Sequence, residues 1–209
     1  MKYFYTILFF LIFLNVSHSR NIGETQITTD EGIEVFSNEK YYLLKKNVII
    51  ESDKFSLSGD NIKIYFNKDM YDITEIEAVG NVKLKSVVND INALGSFLLF
   101  NTVNEEVTIK GLKSKLFTDE FEMSSDGLIN VNNKSGNFFI NGKNSKLLNE
   151  DIIIIGENIK GIFSQENKNK EINYLNVTDK EESYVKSDET DLYAKNIEYN
   201  KETSLIELN

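Results

Sequence analysis

The chain lacks the side chains on which most enzymatic and metal chemistry depends. Its 209 residues contain no cysteine, so disulfides, thiolate metal sites and thiol nucleophiles are excluded. The single histidine, His18, leaves hydrolytic triads and the common zinc sites without candidates further along the chain. Proline and tryptophan are also absent. We therefore expect a protein that is not an enzyme and that carries no cofactor or metal.

Positive charge is also scarce. Asp and Glu number 33 against 23 Lys and Arg, which gives a net charge of −10, and Arg20 is the only arginine. Nucleic-acid binding needs a basic surface to neutralise phosphates, and arginine is the usual bidentate phosphate ligand. The composition therefore excludes nucleic acid from the expected partners.

The N-terminus has the pattern of a secretory signal peptide. Lys2 is followed by an almost entirely apolar run over residues 3–16, and the small residues Ser17 and Ser19 precede Arg20. This run of 14 residues is shorter than the roughly 20 that a membrane-spanning helix needs. We expect residues 1–19 to be a cleaved signal peptide, with an uncleaved N-terminal anchor as the alternative. No cysteine follows the run, so no lipoprotein anchor is expected.

The most informative pattern is an internal repeat. Residues 57–66 read LSGDNIKIYF and residues 154–163 read IIGENIKGIF, with five of ten positions identical. Later positions match after a further shift of two residues, with Ile73, Ile76, Leu98, Phe100 and Asn101 corresponding to Ile172, Leu175, Ile197, Tyr199 and Asn200. Such repetition predicts an array of stacked β units.

Alternation of apolar and polar residues predicts an all-β chain. From Thr28 onward, apolar side chains recur at every second position, as where Val82 and Leu84 flank Lys83. Clusters of Gly, Asn and Asp separate these segments, and the usual spacing predicts about 16–20 strands. No helix is expected to cover a sheet, so a sandwich, a jelly roll and a β-solenoid remain as alternatives.

We see no linker that would divide the chain after the signal peptide. Residues 20–209 are expected to form a single domain, whose two repeat copies occupy about residues 57–109 and 154–208. The charged, Asn-rich stretch at 166–170 is expected to be a solvated hairpin loop.

Three segments together resemble one protein family. The first is a strand run over residues 32–36 and 41–51. The second is the strand–turn–strand unit at 57–66, and the third is ITEIEAVGNVKL at 73–84, with its Ala-x-Gly-Asn-Val step. The chain resembles the periplasmic lipopolysaccharide-transport proteins of the LptA/OstA-like family over about residues 28–109, and again in the second repeat copy.

The resemblance implies an antiparallel β-jelly roll, elongated as a β-taco, located in the periplasm. It implies a hydrophobic groove that shields the acyl chains of lipid A. It also implies head-to-tail assembly through edge strands, as a homo-oligomer and with an inner-membrane anchored partner and an outer-membrane translocon. The chain departs from the family where Gly-Asn-Val at 80–82 gives way to Thr-Asp-Lys at 178–180. The signal-like N-terminus favours the soluble bridge component over its anchored relative.

Physical chemistry supports lipid carriage independently of the resemblance. Exposing acyl chains to water costs about 0.8 kcal/mol for each CH₂ group, so a lipid with several acyl chains needs a shielded path. An apolar slot between two sheet faces supplies such a path. The alternative is that the same residues fill a dry core. The candidates for lining this groove are Val35, Val48, Ile50, Phe55, Leu57, Ile62, Ile64, Phe66, Val82, Leu84, Phe97, Leu99, Ile152, Ile154 and Phe163.

The two ends of an open β array are candidate assembly surfaces. Edge strands carry unpaired backbone N–H and C=O groups that can pair with a strand of another molecule. We expect such edges at residues 26–35 and 204–208, and frayed termini are the alternative. The side chains expected to take part in edge-strand assembly are Ile27, Ile33, Val35, Ile206 and Leu208.

Two other functional classes stay open from the residues alone. One is a structural or adhesive β-repeat protein that binds no lipid. The other is a glycan-cleaving enzyme that uses paired carboxylates, although a solvated face explains these acidic residues more simply. The acidic run at 179–182 is expected to be a loop. The carboxylates considered are Glu75, Glu77, Glu105, Glu106, Asp119, Glu120 and Glu122.

Overall fold

The computed structural model describes residues 22–69, 71–87, 90–164, 171–188 and 190–209. The expected signal peptide and the 166–170 loop lie outside these residues. Within them, no helix is long and apolar enough to cross a membrane. These residues form 17 β-strands that are hydrogen-bonded into one sheet. The strands are β1 (Gln26–Thr28), β2 (Ile33–Phe36), β3 (Tyr41–Glu51), β4 (Phe55–Phe66), β5 (Ile73–Ser86), β6 (Ile91–Asn101), β7 (Glu106–Lys110), β8 (Ser114–Phe117), β9 (Phe121–Ser125), β10 (Leu128–Asn132), β11 (Asn137–Asn141), β12 (Lys146–Asn149), β13 (Ile152–Ile155), β14 (Asn158–Phe163), β15 (Ile172–Lys186), β16 (Asp191–Asn200) and β17 (Leu205–Leu208).

The sheet is an antiparallel meander of bent strands, which folds it into two facing limbs. Long strands such as β4 and β5 bend at a bulge and give one half to each limb. Elsewhere the strand is interrupted at the bend, so that β7 with β8, and β9 with β10, each make one bent strand. Limb one contains strands β2, β7, β10, β11, β14 and β17. Limb two contains strands β1, β8, β9, β12 and β13. The remaining strands are bent and cross from one limb to the other: β3, β4, β5, β6, β15 and β16. The expected antiparallel β-jelly roll, elongated as a β-taco, is confirmed.

We call the line of bends the crease. Several crease residues have positive φ angles, among them Gly80 (76°), Asn81 (47°) and Gly111 (126°). Glycine and asparagine tolerate this left-handed backbone best, which explains their recurrence in the turn signals of the sequence. Small hydroxyl side chains fill the narrow space inside the crease, and the fully buried members of this set are Ser114, Ser125, Ser145 and Ser183.

The strand tips opposite the crease form the mouth between the limbs. Side chains that point inward from both limbs make a single apolar cluster, which includes Leu44, Ile62, Leu98, Ile129 and Ile159. Each of these is almost completely buried. The outward faces carry the alternate polar residues, as the period of a half-buried strand requires.

The internal repeat has a direct structural meaning. Its first copy is the bent strand β4 with β5 and β6, and its second copy is β13 and β14 with β15 and β16. Gly59 and Gly156 both lie at the crease. Where β5 has a two-residue bulge at 80–81, β15 has a longer one at 179–182, and the pairing register is restored beyond it. The second copy therefore keeps the arrangement of the first despite its different sequence at this point.

Candidate functional site

Two apolar cavities lie between the limbs. Chamber 1, of about 200 Å³, lies in the first repeat copy and extends into β7. Its walls come from both limbs: Phe55 and Leu84 belong to limb two, whereas Ile76 and Phe100 belong to limb one. The residues around it are Lys54, Phe55, Leu57, Ile76, Leu84, Ser86, Ile91, Leu98, Phe100 and Val107.

Chamber 2, of about 360 Å³, lies in the second repeat copy. Its interior is aliphatic except for Tyr199, and Ile206 of β17 closes part of one side while remaining 48% exposed. The residues around it are Asn149, Glu150, Ile152, Glu171, Ile172, Leu175, Val185, Ser187, Thr190, Leu192, Ile197, Tyr199, Lys201 and Ile206.

The two chambers are built from equivalent positions of the repeat. In chamber 1, Ile76 pairs with Phe100, which pairs with Val107. In chamber 2, Leu175 pairs with Tyr199, which pairs with Ile206. Each residue of the second triplet follows its counterpart by the same 99 positions, since Ile76 corresponds to Leu175, Phe100 to Tyr199 and Val107 to Ile206. The repeat has therefore duplicated a cavity as well as a strand pattern.

Three phenylalanines close the mouth between the chambers, and we call them the aromatic clasp. The Phe163 ring of limb one lies 5.0 Å from Phe121 of limb two and 4.5 Å from Phe138, measured between ring centroids. All three are buried. Gly161 makes room for the clasp, because a Cβ at that position would lie 2.5 Å from Cζ of Phe138. Beneath the clasp lie five fully buried side chains that border neither chamber: Leu116, Met123, Ile129, Ile140 and Leu147.

The polar groups at the two mouths differ in charge. Lys54 borders chamber 1 beside Ser86. Around chamber 2, Lys201 is paired with Glu171, and Glu150 adds a second carboxylate. Chamber 1 therefore offers a positive group to a ligand head, whereas the lysine at chamber 2 is already neutralised by a carboxylate.

Twelve of the fifteen expected groove residues fall into three groups in the structure. Phe55, Leu57 and Leu84 line chamber 1, and Ile152 lines chamber 2. Ile64 and Phe66 are half-buried toward the mouth of limb one. The residues that are buried without lining either chamber are Val48, Ile50, Ile62, Val82, Ile154 and Phe163.

Two of the expected groove residues, Phe97 and Leu99, point outward, away from the space between the limbs. Phe97 pairs with Val79 and Lys110, and the ammonium group of Lys110 lies 5.1 Å from its ring centroid on the outer face. Leu99 pairs with Glu77 on the same outer face. The reason is the bend between β5 and β6: Val82 pairs with Gly95 but Val79 with Phe97, so two residues of β5 lie opposite Ser96 alone. Gly95 therefore faces inward with Val82, whereas Phe97, two positions later, faces outward with Val79.

The correct inward residues of this half-strand are Leu98 and Phe100, and the repeat contained the signal for them. Both positions align with apolar residues of the second copy, Ile197 and Tyr199, whereas Phe97 and Leu99 align with Asn196 and Glu198. The chamber 2 residues Leu175, Val185 and Leu192 were not among the expected groove residues, although the repeat contained the signal for Leu175, which aligns with Ile76.

Val35 and the other expected edge residues lie at the two open ends. Strands β1 and β2 pair only with β3, and β17 pairs only with β16, so each has one free edge among the described residues. On these edges, five apolar side chains pair with inward-facing neighbours yet are 39–49% exposed, because no further strand covers them. They are Ile27, Ile33, Val35, Ile206 and Leu208.

The acidic residues are dispersed. Glu75 and Glu77 lie on the outer face of limb one, where Glu77 pairs with Lys63. Glu122 forms an ion pair with Lys115 at 2.6 Å. The run at 179–182, expected as a loop, is instead the crease bulge within β15. No group of three or more His, Cys, Asp or Glu in the described residues is arranged to hold a metal ion.

Comparisons with known proteins find similarity among solved structures. No protein-family model and no curated protein matches the chain. Among solved structures, it is similar to LptH from Pseudomonas aeruginosa, described as the LptA homologous periplasmic component of the conserved lipopolysaccharide transport device. The two share 11% sequence identity with a TM-score of 0.43, over 52% of this chain and 76% of LptH. A similarity at this level assigns neither a family nor a function to the chain.

Proposed function

We propose that this chain is an exported, non-enzymatic carrier that holds the acyl chains of lipopolysaccharide and helps to move them across the periplasm. The two apolar chambers between the limbs are the observation that supports this function. An acyl chain leaving a membrane needs an apolar surface of comparable extent, and the inward faces of the two limbs supply one. Direction of transport must come from another component, because an apolar slot can at best match the membrane.

The open ends support assembly into a bridge. At each end, inward-facing apolar side chains are left uncovered beside a free strand edge, as with Ile33 on β2 and Leu208 on β17. Joining β17 of one molecule to β2 of the next would pair both edges and bring these side chains together. The same edges are the proposed contacts for an inner-membrane anchored partner and an outer-membrane translocon.

One observation favours a second candidate, a structural β-repeat protein. The fully buried side chains in the middle of the interior, from Leu116 to Leu147, border neither chamber, as the interior of a purely structural array would throughout. Such a protein would use its outer faces and leave the chambers empty. The two candidates differ in whether the interior contacts lipid.

Photo-crosslinking to lipopolysaccharide distinguishes them. A photoreactive residue at Phe100 would face chamber 1, whereas the same residue at the adjacent Leu99 would face outward, on the same strand and at the same depth from the mouth. We expect crosslinks from position 100 and few from position 99. Equal labelling at both positions, or none at position 100 in a folded protein with excess lipopolysaccharide, would reject the carrier function.

A further inference from the structure

We propose that the internal repeat gives this chain two separate binding sites for single hydrocarbon tails, one in each chamber, rather than one continuous groove. This inference rests on the proposed function, since it specifies how the interior takes up apolar chains. The ligand class is an amphiphile whose tail enters a chamber and whose polar head stays at the mouth.

The two chambers have equivalent construction. The chambers share their aromatic wall position (Phe100 and Tyr199) and their neighbouring aliphatic position (Ile76 and Leu175). The correspondence extends across the crease to Leu84 of chamber 1 and Val185 of chamber 2, which pair with the equivalent residues Leu57 and Ile154. Positions that agree in both limbs describe the same cavity built twice.

The two chambers are separate from each other. No residue borders both chambers. The aromatic clasp lies between them at the mouth, and below it are five fully buried side chains that border neither chamber. A tail in chamber 1 therefore cannot extend into chamber 2 unless Phe121, Phe138 and Phe163 move apart, which breaks buried aromatic contacts.

The side chains at the mouths of the two chambers indicate which class of ligand would bind. Each chamber is apolar inside and has polar side chains at its rim, which suits a molecule with one apolar and one polar end. Lys54 forms no ion pair within the described part of the chain and is free to meet an anionic head at chamber 1. Chamber 2 lacks such a group because Lys201 is paired with Glu171. An anionic amphiphile should therefore bind chamber 1 more tightly than chamber 2.

Tryptophan quenching tests the inference directly, because the chain contains no tryptophan of its own. The reporters are Phe100→Trp for chamber 1 and Tyr199→Trp for chamber 2, at repeat-equivalent aromatic positions. Tyr193→Trp, 55% exposed on the outer face of limb two, is the control. The full chain is titrated with 9,10-dibromostearate, whose bromines quench tryptophan on contact, and with stearate as the unbrominated control. We expect saturable quenching of both chamber reporters and none of Tyr193→Trp.

Independence of the sites is tested by narrowing one chamber at a time. Leu84→Phe adds bulk in chamber 1, and Val185→Phe adds it at the equivalent position of chamber 2. We expect Leu84→Phe to weaken binding at the Phe100→Trp reporter by about tenfold and to leave the Tyr199→Trp reporter unchanged, with the reverse for Val185→Phe. Circular dichroism checks that each variant folds. If the phenylalanine variants do not fold, Val107→Ile in chamber 1 and Val185→Ile in chamber 2 each add a single methylene group as milder replacements.

The outcomes separate the two proposals. Quenching of only one reporter, or loss of quenching at both when a single chamber is narrowed, would overturn the two-site inference and leave the carrier function standing. No quenching at either reporter, while lipopolysaccharide still crosslinks at position 100, would also overturn only the inference. Failure of both quenching and crosslinking would remove the carrier function as well.

Discussion

The hydroxyl oxygens of Ser125 and Ser145 lie 3.0 Å apart inside the crease, where two neighbouring bent strands meet. Ser125 also donates to the carbonyl of Asn141 at 2.8 Å and accepts the N–H of Gly127 at 3.0 Å. Both serines are almost fully buried, so a lost partner cannot be replaced by bulk water.

Removing the hydroxyl of Ser125 should therefore lower the free energy of unfolding more than removing the hydroxyl of Ser145. We expect Ser125→Ala to lower the free energy of unfolding by about 1–3 kcal/mol, and Ser145→Ala by about 1 kcal/mol. Urea denaturation followed by circular dichroism measures both. Ser58→Ala, on the outer face of β4, is the control and should change stability by less than about 0.5 kcal/mol. Equal costs at all three serines would contradict a special role for the crease hydroxyls.

Glycine is required at one crease position and not at its neighbour. A Cβ on Gly80 would collide with the Asp60 carboxylate, and Gly80 has a φ of 76°. A Cβ on Gly59 would meet nothing closer than 3.4 Å. We expect Gly80→Ala to destabilise the chain by about 1–3 kcal/mol and Gly59→Ala to cost less than about 1 kcal/mol. Thermal unfolding compares them, and a reversed order would show that the bend adapts to a side chain.

The aromatic clasp should contribute strongly to stability. Phe163 is 2% exposed and contacts two other rings, whereas Phe97 lies half-buried on the outer face. We expect Phe163→Ala to cost about 3–5 kcal/mol, as is typical of fully buried phenylalanine, and Phe97→Ala to cost clearly less. Equilibrium urea unfolding of both variants gives the difference. Similar losses would place Phe97 in the core and contradict the outward face assigned to it.

Edge-strand assembly should depend on which face of β17 is changed. Leu205 and Leu208 are almost equally exposed, at 51% and 49%, but Leu208 faces inward with its partner Ile197, and Leu205 faces outward. If copies join head to tail, Leu208→Glu places a charge in the joint and should raise the dissociation constant by about tenfold or more. Leu205→Glu should change it little. Sedimentation velocity over a range of concentrations measures both, and a wild-type chain that stays monomeric throughout would remove this mode of assembly.

Alkaline pH should destabilise the outer face of limb two. Desolvation, together with hydrogen bonds to Asp191 and Tyr193, raises the pKa of Tyr184 to about 12, from an ordinary value of 10.0. A raised tyrosine pKa contributes stability that is fully present below pH 10 and is lost as the pH rises through 12. The difference in absorbance at 295 nm between wild type and Tyr184→Phe, over pH values where circular dichroism shows a folded chain, should titrate near 12. A midpoint near 10 would contradict the shift.

Sequence patterns were sufficient for the fold class and for most inward positions. Strict alternation from Val82 to Leu84, or from Val107 to Ile109, directly identifies the buried face. Alternation failed at the bulge where two residues of β5 lie opposite Ser96, because the inward positions of β6 change there from Gly95 to Leu98. The position of a bulge depends on how neighbouring strands bend together, which a single strand's sequence does not contain.

The division of the interior could not be predicted from the sequence. Phe121, Phe138 and Phe163 come from three separate strands, and their contact depends on the distance between the limbs. The same apolar pattern is compatible with an open groove and with a packed core, because periodicity defines a face and not the space in front of it. Only the structure distinguishes the fully buried middle from the two cavities beside it.

The meander also determines how the chain can fold. Every pairing among the described strands joins bent strands that follow one another along the chain. The first and last strands, β1 and β17, have no neighbouring strand in common. Each step therefore closes only a short loop, whose entropic cost rises slowly with loop length. A nucleus can form at any hairpin and grow outward in both directions, as in other linear arrays. The order in which strands pair during folding thus depends on the stability of each local hairpin, and the strands at the two ends are the last to gain neighbours.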